Sequence, residues 1–318
     1  MYEVAEPDAR GELAVGDGQL VYWERVGAAD GLPAVVLHGG PGAGAAPWWR
    51  ALLDPAAFRT TLFDQRGCGR STPNAGDPGA DLAVNTTDRL IADIERLREL
   101  AGVERWLVLG GSWGSTLALA YAQAHAERVA ALVLFAVVTT TPREVEWITV
   151  EMGRIFPAEW ERFRAGAGEL GAGERIVDGY ARRLSDGDER VRERAARDWC
   201  EWEDTHVRAL GPGHDTRFDD PAFRACWARL VTHYWRHGAW RMDGELLAGV
   251  RRLEGTPAVL VHGQVDVSSP LGVPWELARS WPAAELRVVG DAGHGGPAIT
   301  AQVVAATDGF ARRPELWR

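Results

Sequence analysis

The chain has 318 residues, 46% of them hydrophobic and 25% charged, with a formal net charge of −10. That size and balance suit one large α/β domain, or such a domain with a second one inserted. The acidic surplus argues against a nucleic-acid partner. No run is apolar enough for a membrane span, and the polar start Met1-Tyr2-Glu3-Val4-Ala5-Glu6 lacks the basic and apolar regions of a signal peptide.

In chain order, short Val- and Leu-rich stretches predict strands over 20–23, 34–37 and 60–64. The second runs into a glycine loop, His38-Gly39-Gly40-Pro41-Gly42. A helix is predicted between Thr87 and Ala101, with Leu90, Ile91, Ile94 and Leu97 on its apolar side and Arg89, Glu95, Arg96 and Glu99 on its wet side. A strand over 106–109 leads into Gly110-Gly111-Ser112-Trp113-Gly114 and a helical stretch over 116–123. A further strand is predicted over 131–135, and the strand rhythm stops after about Val138. From Thr141 to about Val250 the chain is rich in Arg, Glu, Ala and Trp, with helical periodicity; the stretches 166–173 and Gly211-Pro212-Gly213 read as loops inside it. Strands resume over 258–261 and 285–289. Alternating strands and helices imply βαβ units and a mostly parallel sheet flanked by helices. The expected organisation is an α/β core over 1–140, an inserted helical cap over 141–250, and the rest of the core over 251–318. Such a cap would cover the carboxyl edge of the sheet. Several of the fifteen tryptophans fall between Trp147 and Trp240, where filling a small helical core is the expected role.

The run Gly110–Gly114 has the G-x-S-x-G pattern of a nucleophile elbow in the setting that gives the pattern meaning, strand before and helix after. Its glycines allow close approach and relieve a strained serine backbone. A serine hydroxyl needs a base, and the base needs an orienting acid; this fold supplies them in the order Ser, Asp, His. Asp266, just past the strand over 258–261, and His294, past the last strand, occupy those places. Two backbone donors are needed for the tetrahedral intermediate: the N–H of Trp113, and one from the glycine loop, assigned to Gly40. The other histidines have structural readings. His125 is expected to be solvated, His262 to shape the loop carrying Asp266, and His206, His214, His233 and His237 lie in the cap without an H-E-x-x-H pattern. Cys68, Cys200 and Cys226 lack metal-ligand spacing and are expected as reduced thiols, which fits a cytoplasmic protein. No cofactor or metal is expected.

The runs His38-Gly39-Gly40-Pro41-Gly42, Phe63-Asp64-Gln65-Arg66-Gly67-Cys68-Gly69-Arg70-Ser71, Asn85-Thr86-Thr87 and 110–115 together resemble the prolyl aminopeptidases (proline iminopeptidases) of the α/β-hydrolase fold. The likeness is close over 35–134, clear again over 261–294, and partial in the cap. It implies Ser112 as nucleophile, Asp266 as orienting acid, His294 as base, and Gly40 and Trp113 as oxyanion donors. The 64–71 run is expected to fix loop geometry beneath the site. The family releases an N-terminal residue, usually proline, and holds the substrate amine with acidic cap side chains. Trp199-Cys200-Glu201-Trp202-Glu203 resembles its tryptophan–glutamate motif, which implies Glu203 as the amine anchor, with Trp202 and Gly39 also at the substrate.

The chain departs from the family pattern at three places. Val231 stands where a second glutamate is usual, Gln264-Val265 replaces Arg-Tyr before Asp266, and Gly295-Gly296-Pro297 follows His294. Glu144, Glu146 and Glu151 are the candidates to replace the missing acid. The expected activity is removal of a small N-terminal residue, proline favoured, from a small peptide or aminoacyl amide, by a monomer or small homo-oligomer. Rival readings are an amidase that removes an aminoacyl group such as alanyl from a bulky metabolite, an esterase, and a noncatalytic binding protein; the last would be expected to lose a triad residue, and none is lost.

Overall fold

A computed structural model describes residues 1–210 and 214–317; the loop expected at Gly211-Pro212-Gly213 lies outside them. Eight strands form one sheet: β1 (Ala9–Gly16), β2 (Gln19–Gly27), β3 (Leu32–Leu37), β4 (Phe58–Phe63), β5 (Trp106–Gly111), β6 (Val129–Phe135), β7 (Ala258–Gly263) and β8 (Ala284–Val289). Their order is β1-β2-β4-β3-β5-β6-β7-β8. β1 and β2 are antiparallel to their neighbours, and every pairing from β4 across to β8 is parallel. Each predicted strand overlaps one of these. β1 was not expected; its Ala-Arg-Gly-Glu-Leu-Ala-Val-Gly sequence is broken by charges and glycines and holds a single β-branched residue, and it is held at the sheet edge by its ladder with β2.

The central strands are buried on both faces, as a parallel sheet requires. Alternation divides their side chains. Trp106 and Val108 of β5 point into one hydrophobic cluster, with Leu90, Ile94 and Leu97 of α1 (Thr87–Ala101) and Leu117 of α2 (Trp113–Ala124). Leu107 and Leu109 point into the other, with Ile299, Val303 and Phe310 of the C-terminal helix (Pro297–Ala311). α1 begins where the Thr86 hydroxyl accepts the Arg89 N–H and ends at Gly102, whose φ of 68° puts it in the left-handed region.

Between β6 and β7 the described chain is helical, without a strand: α3 (Pro142–Thr149), α4 (Pro157–Gly166), α5 (Ile176–Arg183), α6 (Glu189–Val207), α7 (Pro221–Arg236) and α8 (Glu245–Gly249). Two core helices follow, α9 (Gly272–Ser280) and α10, the C-terminal helix. Phe163, Tyr180, Trp199 and Trp202 bring α4, α5 and α6 together around stacked and edge-on rings. Among the described residues no helix is long and apolar enough to cross a membrane.

Candidate active site

The parallel strands bring four loops to one edge of the sheet. β3 ends at the Gly39-Gly40 loop, β5 at Ser112, β7 before Asp266 and β8 before His294. Ser112 has φ 54° and ψ −126°, a left-handed-side conformation that a serine adopts only where its surroundings enforce it. Gly114 makes the turn possible: a Cβ there would sit 2.0 Å from the Leu37 carbonyl oxygen, so α2 could not approach β3 with any larger residue.

Ser112, His294 and Asp266 meet at this edge. His294 Nε2 lies 3.0 Å from Ser112 Oγ, and its Nδ1 lies 2.9 Å from Asp266 Oδ2. Asp266 accepts the backbone N–H groups of Ser268 and Ser269 at 3.0 and 3.1 Å on Oδ1, and the Ser269 hydroxyl at 2.8 Å on Oδ2. Burial opposes its ionisation, but His294 and these hydrogen bonds hold its carboxyl below the usual range. Burial likewise opposes protonation of His294, yet the charge and hydrogen bond of Asp266, with the charge of Glu203, raise its pKa above that of free imidazole. His262 shapes the Asp266 loop: its Nδ1 accepts the Val137 N–H at 3.0 Å, so its Nε2–H donates to the Ser269 carbonyl at 2.7 Å. His125 is half-buried against Tyr121 rather than fully solvated.

Gly40 has φ 115°, open to glycine alone, and sits with Gly39 on the wall of the cavity that holds Ser112. Trp113 is the first residue of α2, where a backbone N–H has no intrahelical acceptor. Both groups are tied together from below by Gln65. Its side chain donates to the His38 carbonyl at 2.9 Å and accepts the Trp113 indole N–H at 2.9 Å, while its backbone N–H donates to His38 Nε2 at 3.0 Å. His38 is therefore neutral, with burial lowering its pKa, and its Nδ1–H donates to the Gly39 carbonyl. Sequence reasoning passed over Gln65, although it stands inside the run 64–71. The rest of that run has the expected structural place: Asp64 accepts the Ala45 N–H and holds Arg70, and Arg66 pairs with Asp93 and Asp17.

The cavity has a volume of about 760 Å³ and is roofed by α3, α6 and α7. Glu203 of α6 is buried on its wall. Its Oε1 accepts the Trp199 indole N–H at 3.2 Å, and the Trp227 indole lies nearby without reaching hydrogen-bond geometry. Burial raises its pKa to about 7, against the opposing pull of Trp199 and His294.

Three expectations need correction. Trp202 does not reach the cavity; its indole N–H donates to the Ile148 carbonyl at 3.2 Å and its ring stacks on Phe163. Consecutive helical positions diverge by about 100°, so Trp202 and Glu203 face different ways. Glu144 lines the cavity, but its carboxylate is occupied by the backbone and hydroxyl groups of Thr139 and Thr141 at the start of α3. Glu146 is exposed and Glu151 pairs with Arg154, both outside the cavity wall. Val231 is fully buried. None of the three glutamates therefore presents a free carboxylate to the cavity.

An α/β hydrolase fold family model matches residues 33–297. A probable proline iminopeptidase of Streptomyces coelicolor is 46% identical over 98% of both chains. The proline iminopeptidase of Neisseria gonorrhoeae is 42% identical, covering 92% of this chain and 93% of its own. The chain belongs to the proline iminopeptidase family. Among solved structures, a proline iminopeptidase-related protein from Thermus thermophilus is similar at 24% identity and a TM-score of 0.57, covering 97% and 98% of the two chains. An esterase from Rhodococcus is similar at 19% identity and a TM-score of 0.59, covering 96% and 98%. Those two likenesses concern the fold. Within the proline iminopeptidase family frame, the cavity residue that sequence reasoning set aside is His206. No motif in the local sequence marks it, yet it stands on the cavity wall one helical turn from Glu203.

Proposed function

We propose that this protein is a serine aminopeptidase that releases an N-terminal proline from small peptides or prolyl amides, with residues 141–250 as its cap. The observation that carries the reading is one cavity lined by Ser112 and His294, the first two members of a hydrogen-bonded chain that ends on Asp266, together with a buried carboxylate, Glu203. An esterase has no use for a buried anion; a substrate with a cationic N-terminus does. The substrate amine lies against Glu203, and Ser112 Oγ attacks the prolyl carbonyl while His294 Nε2 takes its proton. The oxyanion rests on the N–H groups of Gly40 and Trp113, each worth about 3 kcal/mol in such a role. The tetrahedral intermediate expels the leaving amine, which takes the proton from His294. Water, deprotonated by the same ring, then releases free proline from Ser112. No step calls for a metal or cofactor. The three buried thiols suit a reducing compartment, and we place the protein in the cytoplasm.

A second reading keeps the chemistry and enlarges the leaving group. The cavity extends past a single residue to an apolar wall of Trp48, Trp49, Leu52, Ile299 and Val303, which suits removal of an aminoacyl group from a bulky apolar amine. Steady-state kinetics on prolyl- and alanyl-arylamides, N-acetylprolyl-arylamide and a short-chain aryl ester separate the cases. Preference for the free-amine prolyl compound supports the aminopeptidase, and preference for alanyl supports the specialised amidase. Indifference to the free amine with ester favoured refutes both. Ser112→Ala removes turnover with the fold retained; residual activity at the wild-type level sinks the nucleophile assignment.

A further inference from the structure

His206 is fully buried in α6 and lines the cavity that holds Ser112. Its Nδ1 lies 2.8 Å from Ser268 Oγ, and Ser268 in turn donates its backbone N–H to Asp266. Its Nε2 has no hydrogen-bond partner among the described residues, although it is cut off from water. Glu203 Oε2 lies 3.7 Å from it, too far for a hydrogen bond. A buried polar atom left unsatisfied costs stability and calls for an explanation.

We propose that His206 is a specificity-determining residue of the amine subsite, forming with Glu203 a two-acceptor site that reads the secondary ammonium of an N-terminal prolyl or N-alkyl residue. The proposal rests on the aminopeptidase reading above. Burial drives the His206 pKa down to about 3, so the ring stays neutral, with one N–H and one acceptor nitrogen. When Nδ1–H donates to Ser268 Oγ, Nε2 carries the lone pair, with Glu203 Oε2 3.7 Å from it. Glu203 spends Oε1 on Trp199 and keeps Oε2. An ammonium nitrogen between them gives one N–H to Oε2 and the other to Nε2. Prolyl and N-alkyl ammonium groups have two N–H bonds, matching the two acceptors. A primary ammonium has a third, which meets the indoles of Trp227 and Trp235 on the facing helix rather than another acceptor. Val231, buried between those two positions on α7, offers no oxygen.

The test compares prolyl-, N-methylalanyl-, alanyl- and N-acetylprolyl-arylamides and an aryl ester on wild type, His206→Leu and His206→Gln. The N-methylalanyl compound has the secondary amine without the ring. Wild type is expected to prefer it to alanyl. In His206→Leu the prolyl kcat/KM falls tenfold or more, mostly through KM, and the N-methyl preference collapses toward one. The ester loss is at least fivefold smaller. His206→Gln, which keeps an acceptor oxygen, recovers part of the preference. Equal losses on prolyl amide and ester would mean that His206 merely supports the Ser268–Asp266 loop, and would overturn the proposal. So would an unchanged N-methyl preference in His206→Leu, while the wild-type demand for a free amine left the aminopeptidase reading intact. If wild type cleaves the N-acetylprolyl compound as readily as the free one, the aminopeptidase reading fails and this inference falls with it. Thermal midpoints of both variants identify any loss that comes from misfolding.

Discussion

Replacing Glu203 by glutamine isolates the charge at the proposed amine subsite from its shape. The carboxylate loses its negative charge while the contact with the Trp199 indole can persist. A charge-assisted contact of this kind is worth roughly 1.5–3 kcal/mol, which corresponds to a loss of about 10- to 150-fold in kcat/KM on a prolyl arylamide. A short-chain ester, lacking the amine, should lose far less. The raised pKa of about 7 adds a pH signature. If the anion is what binds the substrate ammonium, as proposed, wild-type preference for the prolyl arylamide over the ester should rise about 20-fold between pH 5.5 and 7.5. His294 acts on both substrates and cancels in that ratio. In Glu203→Gln the ratio should be flat.

Stability should move the opposite way. The folded protein holds the Glu203 proton more tightly than the unfolded chain, whose pKa is near 4.5. Its contribution is fully present below pH 4.5 and is lost as pH rises through about 7. At pH 8 the buried charge costs about 3 kcal/mol, which glutamine removes. Thermal unfolding should therefore find Glu203→Gln more stable than wild type at pH 8, with the gap closing toward pH 5. A ratio that stays pH-dependent in the variant, or a wild type that remains the more stable at pH 8, refutes the assignment of a buried, titrating anchor.

Two further substitutions probe the scaffold. Gln65→Leu strands the Trp113 indole N–H and the His38 carbonyl, and should cost about 1–3 kcal/mol of stability for each group left unpaired. It should also loosen both oxyanion loops; steady-state kinetics should show kcat falling about tenfold with KM nearly unchanged, and a pure KM effect would contradict the positioning role. Asp93→Ala leaves the buried Arg66 guanidinium without its principal partner, the second being Asp17. Urea denaturation should show a loss of about 3–5 kcal/mol, and a loss below 1 kcal/mol would mean that Asp17 alone compensates the charge.

Much of this architecture is legible in the chain because its signals are local. The strand over 106–109, the glycines around Ser112 and the helix that follows announce a tight strand–helix turn without reference to the rest of the molecule. The spacing of Leu90, Ile91, Ile94 and Leu97 does the same for α1. β1 is illegible for the complementary reason: it is a strand because β2 offers it a ladder, and its own residues hardly favour one. Between β6 and β7, helical periodicity indicates helices but not which way they face. Trp202 and Glu203 are adjacent in sequence, and packing alone sends one into the ring cluster and the other to the cavity.

The chain alone thus determined the succession of strands from β2 onward, the helical character of what lies between them and the residue types at the strand ends, since these follow from local pattern and backbone sterics. Only the tertiary structure decided what those residues can do together. Ser112 and His294 are 182 positions apart and meet within 3.0 Å because parallel strands share an edge. Likewise, burial among α3, α6 and α7, which no local pattern encodes, raises the pKa of Glu203 and leaves His206 neutral with a nitrogen to spare.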